Sequence, residues 1–338
     1  MPMIAEPVRW GILGAARIAD GAILPALKNS PTCLPWAVAA RDADRARAMA
    51  ERHSVPRSYG SYDALLADPD VEAIYIALPN HLHIEWARKA ADAGKHVLIE
   101  KPAAMRADEF SALDRVDPAL RIAEAFMVRH QPRWQHLRKL MQDRTYGAPL
   151  TFSSLLSFHM TKVDDFRQTP DMGGGAYYDL GCYTAMAARF VFGAEPLRAM
   201  ALMERNTAGI DLFTSVILDF GARRQATFMV SLAQASSQSI EIVCERAFLT
   251  LPQAYVPSQT EPNLIIIDTS TDHARSETHA VEFPALDQYE AEVTNFARAV
   301  RGFDAPFYGI GDARANAAVA DAVFASARSG GWADVKGH

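Results

Sequence analysis

The regular alternation of short apolar runs with helix-period segments over the first third of the chain is the feature that most constrains the fold. One of these runs, VEAIYIAL at 71–78, is apolar almost throughout, as is typical of a strand buried on both faces. The strands predicted in this part of the chain are 8–13, 34–40, 71–78, 96–99 and 121–125. Between them we predict helices at 18–27, 44–53, 62–67 and 81–93, with Ser61 and Asn80 as N-caps and Gly94 as a left-handed C-cap. Such alternation is typical of βα units, so we expect a doubly wound parallel sheet.

The pattern changes near residue 123. Strand-like runs follow one another without long intervening helices, which predicts a large, open and mostly antiparallel sheet. These runs are 150–158, 199–203, 212–220, 224–232 and 239–251, accompanied by helices at 132–141, 183–192, 287–301 and 313–329. A chain of 338 residues also exceeds the ~250–300 residues that one core usually holds. We therefore divide the chain into an α/β domain at 1–123 and an α+β domain at 124–338.

Composition excludes several classes of protein. The chain is 49% hydrophobic with a formal net charge of −6, which disfavours disorder and a nucleic-acid partner. Cys33, Cys182 and Cys244 are widely spaced, and the sequence contains no H-E-x-x-H, so we expect neither a disulfide framework nor a metal site. The N-terminus lacks the features of a signal peptide, and no stretch reaches the ~18 apolar residues of a membrane span. These observations predict a soluble, cytoplasmic protein that does not bind membranes.

The loop after the first strand, GILGAARIA at 11–19, stands where a dinucleotide fold carries G-x-G-x-x-G. Only Gly14 matches strictly, and alanines replace the later glycines. A helix that begins near Arg17 would still direct its free N–H groups at a pyrophosphate. The residues of this loop that we expect to bind the cofactor are Gly14, Ala15, Ala16, Arg17 and Ile18. Taken alone, the loop is equally compatible with a tight turn that binds no ligand.

The end of the second strand, Ala40-Arg41-Asp42, predicts which dinucleotide is bound. An arginine here can pair with the 2′-phosphate of NADP, whereas an acidic residue can bind the ribose hydroxyls of NAD. Arg41 favours NADP. Asp42 leaves NAD open, because a one-residue error in the strand end would exchange the two residues.

Two further loops follow strands at the carboxyl edge of the sheet, where open α/β folds bind ligands. The first runs from Leu78 to His83 and the second is Glu100-Lys101-Pro102. We expect His83 to make a hydrogen bond at a helix start near the cofactor. The cofactor contacts predicted from these loops are Leu78, Pro79, Asn80, His83, Glu100, Lys101 and Pro102.

Two motifs together resemble a known family. The run GKHV at 94–97 followed by Glu100-Lys101-Pro102, and the later run GGGAYYDLGCY at 173–183, are similar to the signatures of the glucose-fructose oxidoreductase/inositol dehydrogenase (Gfo/Idh/MocA) family. The resemblance implies an NAD(P)-dependent oxidoreductase of sugar-like substrates, with Arg129 near the cofactor. It also implies a homodimer or larger homo-oligomer formed through the C-terminal sheet. Tyr183, where inositol dehydrogenase-like members have His, indicates the subgroup of glucose-fructose oxidoreductase, dimeric dihydrodiol dehydrogenase, NADP-dependent xylose dehydrogenase and some 3-ketosugar reductases.

The residues of these motifs suit the chemistry that the resemblance implies. Transfer of a hydride from a carbinol needs an acceptor for the hydroxyl proton, and Tyr183 can take this role in either direction. The Lys101 ammonium would lower the pKa of that phenol and donate a hydrogen bond to the reacting oxygen. Asp179, four residues before Tyr183, would bind a sugar hydroxyl or orient the lysine, and Arg167 would reach substrate hydroxyls or a carboxylate. Each residue alone has an ordinary structural interpretation, and the argument depends on their joint spacing.

The sequence thus predicts that the Rossmann domain holds NADP or NAD, that the second domain supplies Asp179 and Tyr183, and that the cleft between the domains is the active site. The specific reaction stays open among an aldose 1-dehydrogenase, a 3-ketosugar reductase and a trans-dihydrodiol dehydrogenase. An alternative of another class is a non-catalytic NADP-binding regulator. The presence of Lys101, Asp179 and Tyr183 argues against the regulator, because a sensor has no need of an acid/base set.

Overall fold

The computed structural model describes residues 6–162, 165–271 and 277–336. Its first sheet has six parallel strands in the order β3-β2-β1-β4-β5-β6. This is the order of a Rossmann fold, and it confirms the predicted doubly wound sheet. The strands are β1 (Val8–Leu13), β2 (Cys33–Ala39), β3 (Arg57–Tyr59), β4 (Ala73–Ile76), β5 (His96–Glu100) and β6 (Ile122–Ala125). The sequence analysis did not predict β3, which has only three residues and lies at the edge of the sheet.

Local signals set the helix ends in this part of the chain. The helices are α1 (Leu24–Asn29), α2 (Ala43–His53), α3 (Tyr62–Leu66) and α4 (His83–Asp92). Ser61 accepts a hydrogen bond from the Ala64 amide at 3.2 Å, and Gly94 after α4 has a φ of +72°. Both predicted caps are therefore confirmed. The expectation that Asn80 caps α4 is wrong, since Asn80 opens a separate 3-10 turn (Asn80–Leu82) and α4 begins at His83.

The second sheet has nine strands in the order β14-β13-β12-β11-β7-β10-β9-β8-β15. It is antiparallel except where β7 and β10 pair in parallel, which their long connection through a helix and two strands permits. The run predicted as one strand at 239–251 is a hairpin of β11 and β12, closed where the Cys244 amide donates to the Ala247 carbonyl at 2.8 Å. The strands are β7 (Pro149–His159), β8 (Arg198–Arg205), β9 (Asp211–Asp219), β10 (Gln225–Ser231), β11 (Ala233–Cys244), β12 (Phe248–Pro252), β13 (Asn263–Asp268), β14 (Thr278–Phe283) and β15 (Ala333–Asp334).

Four longer helices accompany this second half: α5 (Pro132–Gln142), α6 (Cys182–Phe192), α7 (Gln288–Val300) and α8 (Ile310–Ser329). Helix α6 is buried along its whole length and packs against β7. The opposite face of the sheet carries exposed apolar side chains, among them Leu202 at 70% exposure. Within the described ranges, no helix has the length and apolar character needed to cross a membrane.

The chain forms two compact units whose boundary differs from the single division at residue 123. The described residues up to Ala104, Asp108–His130 and Asp287–Arg314 form the first unit, and the rest forms the second. Helix α7 belongs to the first unit because its apolar side packs into the core of the parallel sheet, where the rings of Phe296 and Trp10 lie 5.2 Å apart. The predicted domain at 124–338 is therefore wrong in its assignment of α7. This helix packs into the core of the first unit.

Candidate active site

The loop after β1 brings the backbone to the carboxyl edge of the parallel sheet. Gly14 has a φ of +107°, and a Cβ there would lie 2.3 Å from the Ala77 carbonyl oxygen. Glycine is required at this position because both the backbone conformation and the close approach exclude a side chain. The helix begins at Arg17 as predicted and passes through a π turn (Ala19–Ile23) into α1. Its free N–H groups lie at the edge where the predicted pyrophosphate would bind.

At the end of β2, Arg41 and Asp42, the two residues that left the choice of dinucleotide open, have different surroundings. Asp42 is the N-cap of α2, and its carboxylate accepts hydrogen bonds from the amides of Asp44 at 2.9 Å and Arg45 at 3.2 Å. Arg41 is exposed, and its positive charge and that of Arg45 oppose the rise that burial causes in the pKa of Tyr62. Arg45, which the sequence analysis did not single out, donates to the Ala15 carbonyl at 2.9 Å. Arg41 and Arg45 thus place two cations at this corner, while Asp42 stabilises its own helix.

The side chain of His83 lies between two of the predicted cofactor loops and contacts a backbone carbonyl in each. Its ring is fully buried, with Nδ1 2.8 Å from the Pro102 carbonyl oxygen and Nε2 2.7 Å from the Leu78 carbonyl oxygen. Burial lowers the pKa of His83 to about 4, so the ring is neutral at pH 7 and donates to one of the two carbonyls. Both nitrogens face protein carbonyls, so His83 supports the two loops, and its contact with the cofactor stays a prediction.

The loop after β5 is held by two carboxylates, Glu100, which is half-buried, and Glu124, which is buried. The Lys101 amide donates to Glu100 Oε2 at 3.1 Å, and the Tyr75 hydroxyl donates to Glu100 Oε1. The Ala103 amide donates to Glu124 Oε1 at 2.8 Å. The peptide bond between Lys101 and Pro102 is cis. The side chain of Lys101 thus emerges from a fixed segment at the same sheet edge as Gly14.

Arg129 is a buried arginine near the end of the Asp108–His130 segment of the first unit. Its guanidinium pairs with Asp312 and lies 4.0 Å over the ring of Tyr308. These partners fix the arginine inside the first unit. The predicted contact of Arg129 with the cofactor stays a prediction.

In the second unit, the glycine run before Asp179 is required by close packing. Gly175 has a φ of +116°, and a Cβ there would lie 1.9 Å from Asp211 Oδ1. Asp211 is buried and its Oδ2 accepts hydrogen bonds from the Tyr177 amide and the Thr214 hydroxyl, both at 2.8 Å. The carboxylate therefore fixes the start of the helical segment that carries Asp179 and Tyr183.

The structure brings together two residues that the sequence analysis treated separately. Arg167 Nε lies 2.8 Å from Asp179 Oδ2, and Arg167 Nη1 lies 3.1 Å from Asp165 Oδ1. Burial opposes the charge of Arg167, but the two carboxylates outweigh it and raise its pKa above the ordinary value. Asp179 is 8% exposed, so this ion pair is largely shielded from water. Arg167 therefore orients the Asp179 carboxylate.

Tyr183 lies in the first turn of α6, directly after a π turn (Tyr177–Gly181) that contains Asp179. It is 7% exposed, and its ring meets the ring of Tyr255 edge-on with centroids 6.1 Å apart. Tyr255 is fixed by a hydrogen bond of 2.7 Å between its hydroxyl and that of Ser154. The sequence analysis missed Tyr255, because only tertiary packing brings it to the helix. Single π turns are rare and often mark functional segments.

The described part of the chain contains no group of three or more His, Cys, Asp or Glu side chains that could hold a metal ion. The chemistry available at these positions is that of a phenol, an ammonium, a carboxylate and a guanidinium. These groups can transfer a proton and stabilise a developing oxyanion.

A Rossmann sheet with a glycine turn after β1 is typical of a dinucleotide-dependent oxidoreductase, and lysine and tyrosine are residue types that such chemistry uses. Comparison with known proteins supports this class. Residues 8–120 match the model of an oxidoreductase family with an NAD-binding Rossmann fold, and residues 134–250 match the GFO/IDH/MocA C-terminal domain. The chain therefore belongs to the Gfo/Idh/MocA family, which confirms the predicted family, fold class and enzymatic nature.

Relatives of known activity cover nearly the whole chain. A D-xylose 1-dehydrogenase (NADP(+)) from Haloferax volcanii is 33% identical over 95% of this chain and 98% of its own. A dTDP-3,4-didehydro-2,6-dideoxy-alpha-D-glucose 3-reductase from Actinomadura kijaniata is 32% identical over 97% of this chain and 98% of its own. A 3-ketoreductase from the same organism, solved with NADP and TDP-benzene, has a TM-score of 0.85 at 28% identity, covering 95% of this chain and 98% of that one.

Proposed function

We propose that this enzyme uses NADP in preference to NAD and transfers a hydride between the nicotinamide and a carbinol or carbonyl carbon of a sugar-like substrate. The observation that carries the choice of NADP is the arrangement at the end of β2, where Arg41 and Arg45 supply positive charge and the Asp42 carboxylate is occupied by its helix. A relative that is a D-xylose 1-dehydrogenase (NADP(+)) and a 3-ketoreductase solved with NADP support the same choice. The 2′-phosphate would then pair with the arginines.

We propose that Tyr183 and Lys101 carry the proton chemistry. When bound, the nicotinamide supplies or accepts the hydride. In the reducing direction Tyr183 donates its hydroxyl proton to the substrate oxygen as the carbonyl becomes an alcohol, and in the oxidising direction it takes that proton back. The Lys101 ammonium donates a hydrogen bond to the same oxygen and stabilises its developing charge. Solved structures of the 3-ketoreductase include variants of a lysine and of a tyrosine, a choice of residues that agrees with these roles.

We further propose that Asp179 binds a substrate hydroxyl next to the reacting carbon. A carboxylate that is already oriented by Arg167 at 2.8 Å loses little freedom when it accepts a hydrogen bond from a sugar. Arg167 then acts mainly through Asp179. A neutral polyol suits such a site better than a substrate carboxylate, because Asp165 and Asp179 already balance the charge of Arg167.

The open face of the nine-stranded sheet supports a homodimer. Its outward side chains Met200, Leu202, Ile217 and Met229 line an apolar depression of about 580 Å³. Contiguous exposed apolar surface of this kind is typical of an interface between subunits. Light scattering should give a dimer for the unmodified protein and a monomer for Leu202→Glu. A monomeric unmodified protein would contradict this assignment.

We also propose a reducing location such as the cytoplasm. Cys33, Cys182 and Cys244 are buried and form no disulfide in the described part of the chain, as expected for a protein that folds in a reducing compartment. Titration of the unfolded protein with a thiol reagent, without added reductant, should find three reactive thiols. Fewer than three would indicate an oxidised protein.

The proposed activity is tested by following nicotinamide absorbance with a panel of aldoses, 3-ketosugars and trans-dihydrodiols, each with NADP(H) and NAD(H). We expect turnover with at least one sugar-like substrate and higher kcat/KM with the phosphorylated cofactor. Tight NADP binding without turnover on any member of the panel would instead favour the non-catalytic regulator.

A further inference from the structure

We propose that Tyr75 is a positioning residue for Lys101, acting through Glu100. This inference rests on the proposed catalytic role of Lys101 and adds a residue that lies entirely inside the protein. Tyr75 is part of the central strand β4 and is 0% exposed, so it cannot touch substrate or cofactor itself.

The connection runs through one carboxylate. The Tyr75 hydroxyl donates to Glu100 Oε1, and the backbone amide of Lys101 donates to Glu100 Oε2 at 3.1 Å. The two oxygens of Glu100 thus join the centre of the sheet to the residue that presents the ammonium. A tyrosine in an otherwise apolar strand is costly unless its hydroxyl is hydrogen-bonded, and here the partner is this carboxylate.

Other buried groups hold the same segment at neighbouring positions. Nδ1 of His83 lies 2.8 Å from the Pro102 carbonyl oxygen, and Glu124 accepts from the Ala103 amide at 2.8 Å. These contacts fix the backbone after Lys101. The pair of Tyr75 and Glu100 holds the amide of Lys101 itself, whereas the other two contacts hold the residues that follow it.

The hydrogen bond also keeps its direction over the working pH range. Burial, together with the nearby charges of Glu100 and Glu292, raises the pKa of Tyr75 well above its ordinary value. The hydroxyl therefore stays protonated and donates, while Glu100 accepts from both neighbours. Tyr75 acts as a constant anchor and does not itself exchange a proton during turnover.

Removing the hydroxyl takes away one of the donors that hold the Glu100 carboxylate in place. The carboxylate can then rotate toward other donors and shift the Lys101 amide that it holds. Because small misplacements of a catalytic group reduce the rate steeply, we expect kcat to fall on the order of 10-fold in Tyr75→Phe. The KM for substrate and the Kd for NADP should change less than kcat, since the ring of residue 75 stays in place.

The matched control is Tyr59→Phe. The Tyr59 hydroxyl also donates to a carboxylate, Asp68, at 2.9 Å, but it lies at the edge of the same sheet and away from the 100–103 segment. Both variants remove one hydroxyl from a tyrosine–carboxylate pair in the same unit. We expect a loss of kcat in Tyr75→Phe alone, measured at a temperature where circular dichroism shows that both variants are folded. Equal kcat values for the two variants would overturn the proposal.

A double-mutant cycle with Lys101→Met tests whether the effect passes through the lysine. If it does, Tyr75→Phe should reduce kcat on the order of 10-fold in the unmodified enzyme and less than about 2-fold in the Lys101→Met background. A loss of the same size in both backgrounds would mean that Tyr75 acts by another route and would refute the positioning role. If Lys101→Met itself keeps normal kcat, the proposed function of Lys101 fails instead, and the cycle thereby distinguishes the two failures.

Discussion

Replacement of Gly175 by alanine tests the packing that holds the start of the Asp179–Tyr183 segment. The added Cβ would lie 1.9 Å from Asp211 Oδ1, well inside van der Waals contact, and the φ of +116° is one that alanine rarely adopts. Asp211 cannot move away freely, because its other oxygen holds the Tyr177 amide and the Thr214 hydroxyl, each at 2.8 Å. The substitution must therefore strain the backbone, displace the carboxylate, or both.

The expected loss of stability is the sum of the backbone strain at residue 175 and the cost of displacing the Asp211 carboxylate. A residue held in a sparsely populated backbone region costs about 1–3 kcal/mol. Displacing Asp211 weakens two hydrogen bonds to a buried carboxylate, each worth about 1.5–3 kcal/mol when fully lost. With partial loss of these bonds, we expect Gly175→Ala to lower the free energy of unfolding by about 3–5 kcal/mol.

Gly193→Ala is the matched control. Gly193 has a φ of +59°, and among the described residues a Cβ there meets no atom within 4 Å. Only the left-handed conformation is penalised, at about 1–2 kcal/mol. Urea denaturation followed by circular dichroism measures both losses against the unmodified protein. Equal losses in the two variants would refute the role assigned to Asp211 at this turn.

Three further predictions concern the cofactor, pH and metal ions. Arg41→Ala should weaken NADP binding and abolish the preference over NAD in calorimetric titrations, whereas Asp42→Ala should cost about 1 kcal/mol of stability as a lost helix cap and keep the preference. Burial raises the pKa of Glu72, but hydrogen bonds from Arg301 and Arg9 and their charges outweigh it and hold the pKa below its ordinary value. The carboxylate therefore stabilises the fold above its unfolded pKa of about 4.3, and this contribution is lost as the pH falls through its lower folded pKa. Unfolding curves of Glu72→Gln should thus converge with those of the unmodified protein in acid, and a constant difference at all pH values would contradict this. Activity should persist in EDTA, and a stoichiometric metal required for turnover would show that the site has been misread.

Much of the first unit could be predicted because its signals are local. The apolar runs of β1, β2 and β4 mark buried parallel strands, and Ser61 and Gly94 mark helix ends through their own backbone and side-chain chemistry. Strand β3 was missed because three residues carry too little pattern to be recognised. Helix α7 was assigned to the wrong unit because sequence position says nothing about which core receives Phe296.

The site was predicted as a set of residue types and not as a set of contacts. Lys101 and Asp179 followed from motifs, but the ion pair of Arg167 with Asp179 is a tertiary contact that spacing does not encode. The GKHV motif likewise contains a structural lysine, since Lys95 Nζ donates to the carbonyls of Asp68 at 2.8 Å and Val71 at 2.7 Å. Periodicity and motif spacing do not distinguish such a buried structural lysine from a lysine that contacts a ligand.

The proposed acid/base role of Tyr183 is tested most directly by the steady-state kinetics of Tyr183→Phe with a responsive substrate and an independent measurement of NADP affinity. The substitution removes only the hydroxyl, and the edge-on contact of the ring with Tyr255 remains. If Tyr183 transfers the proton, kcat should fall by about 10²- to 10⁴-fold while the Kd for NADP stays within about 2-fold. A near-normal kcat with unchanged cofactor affinity would contradict the assignment and leave Lys101 or a bound water as the proton donor.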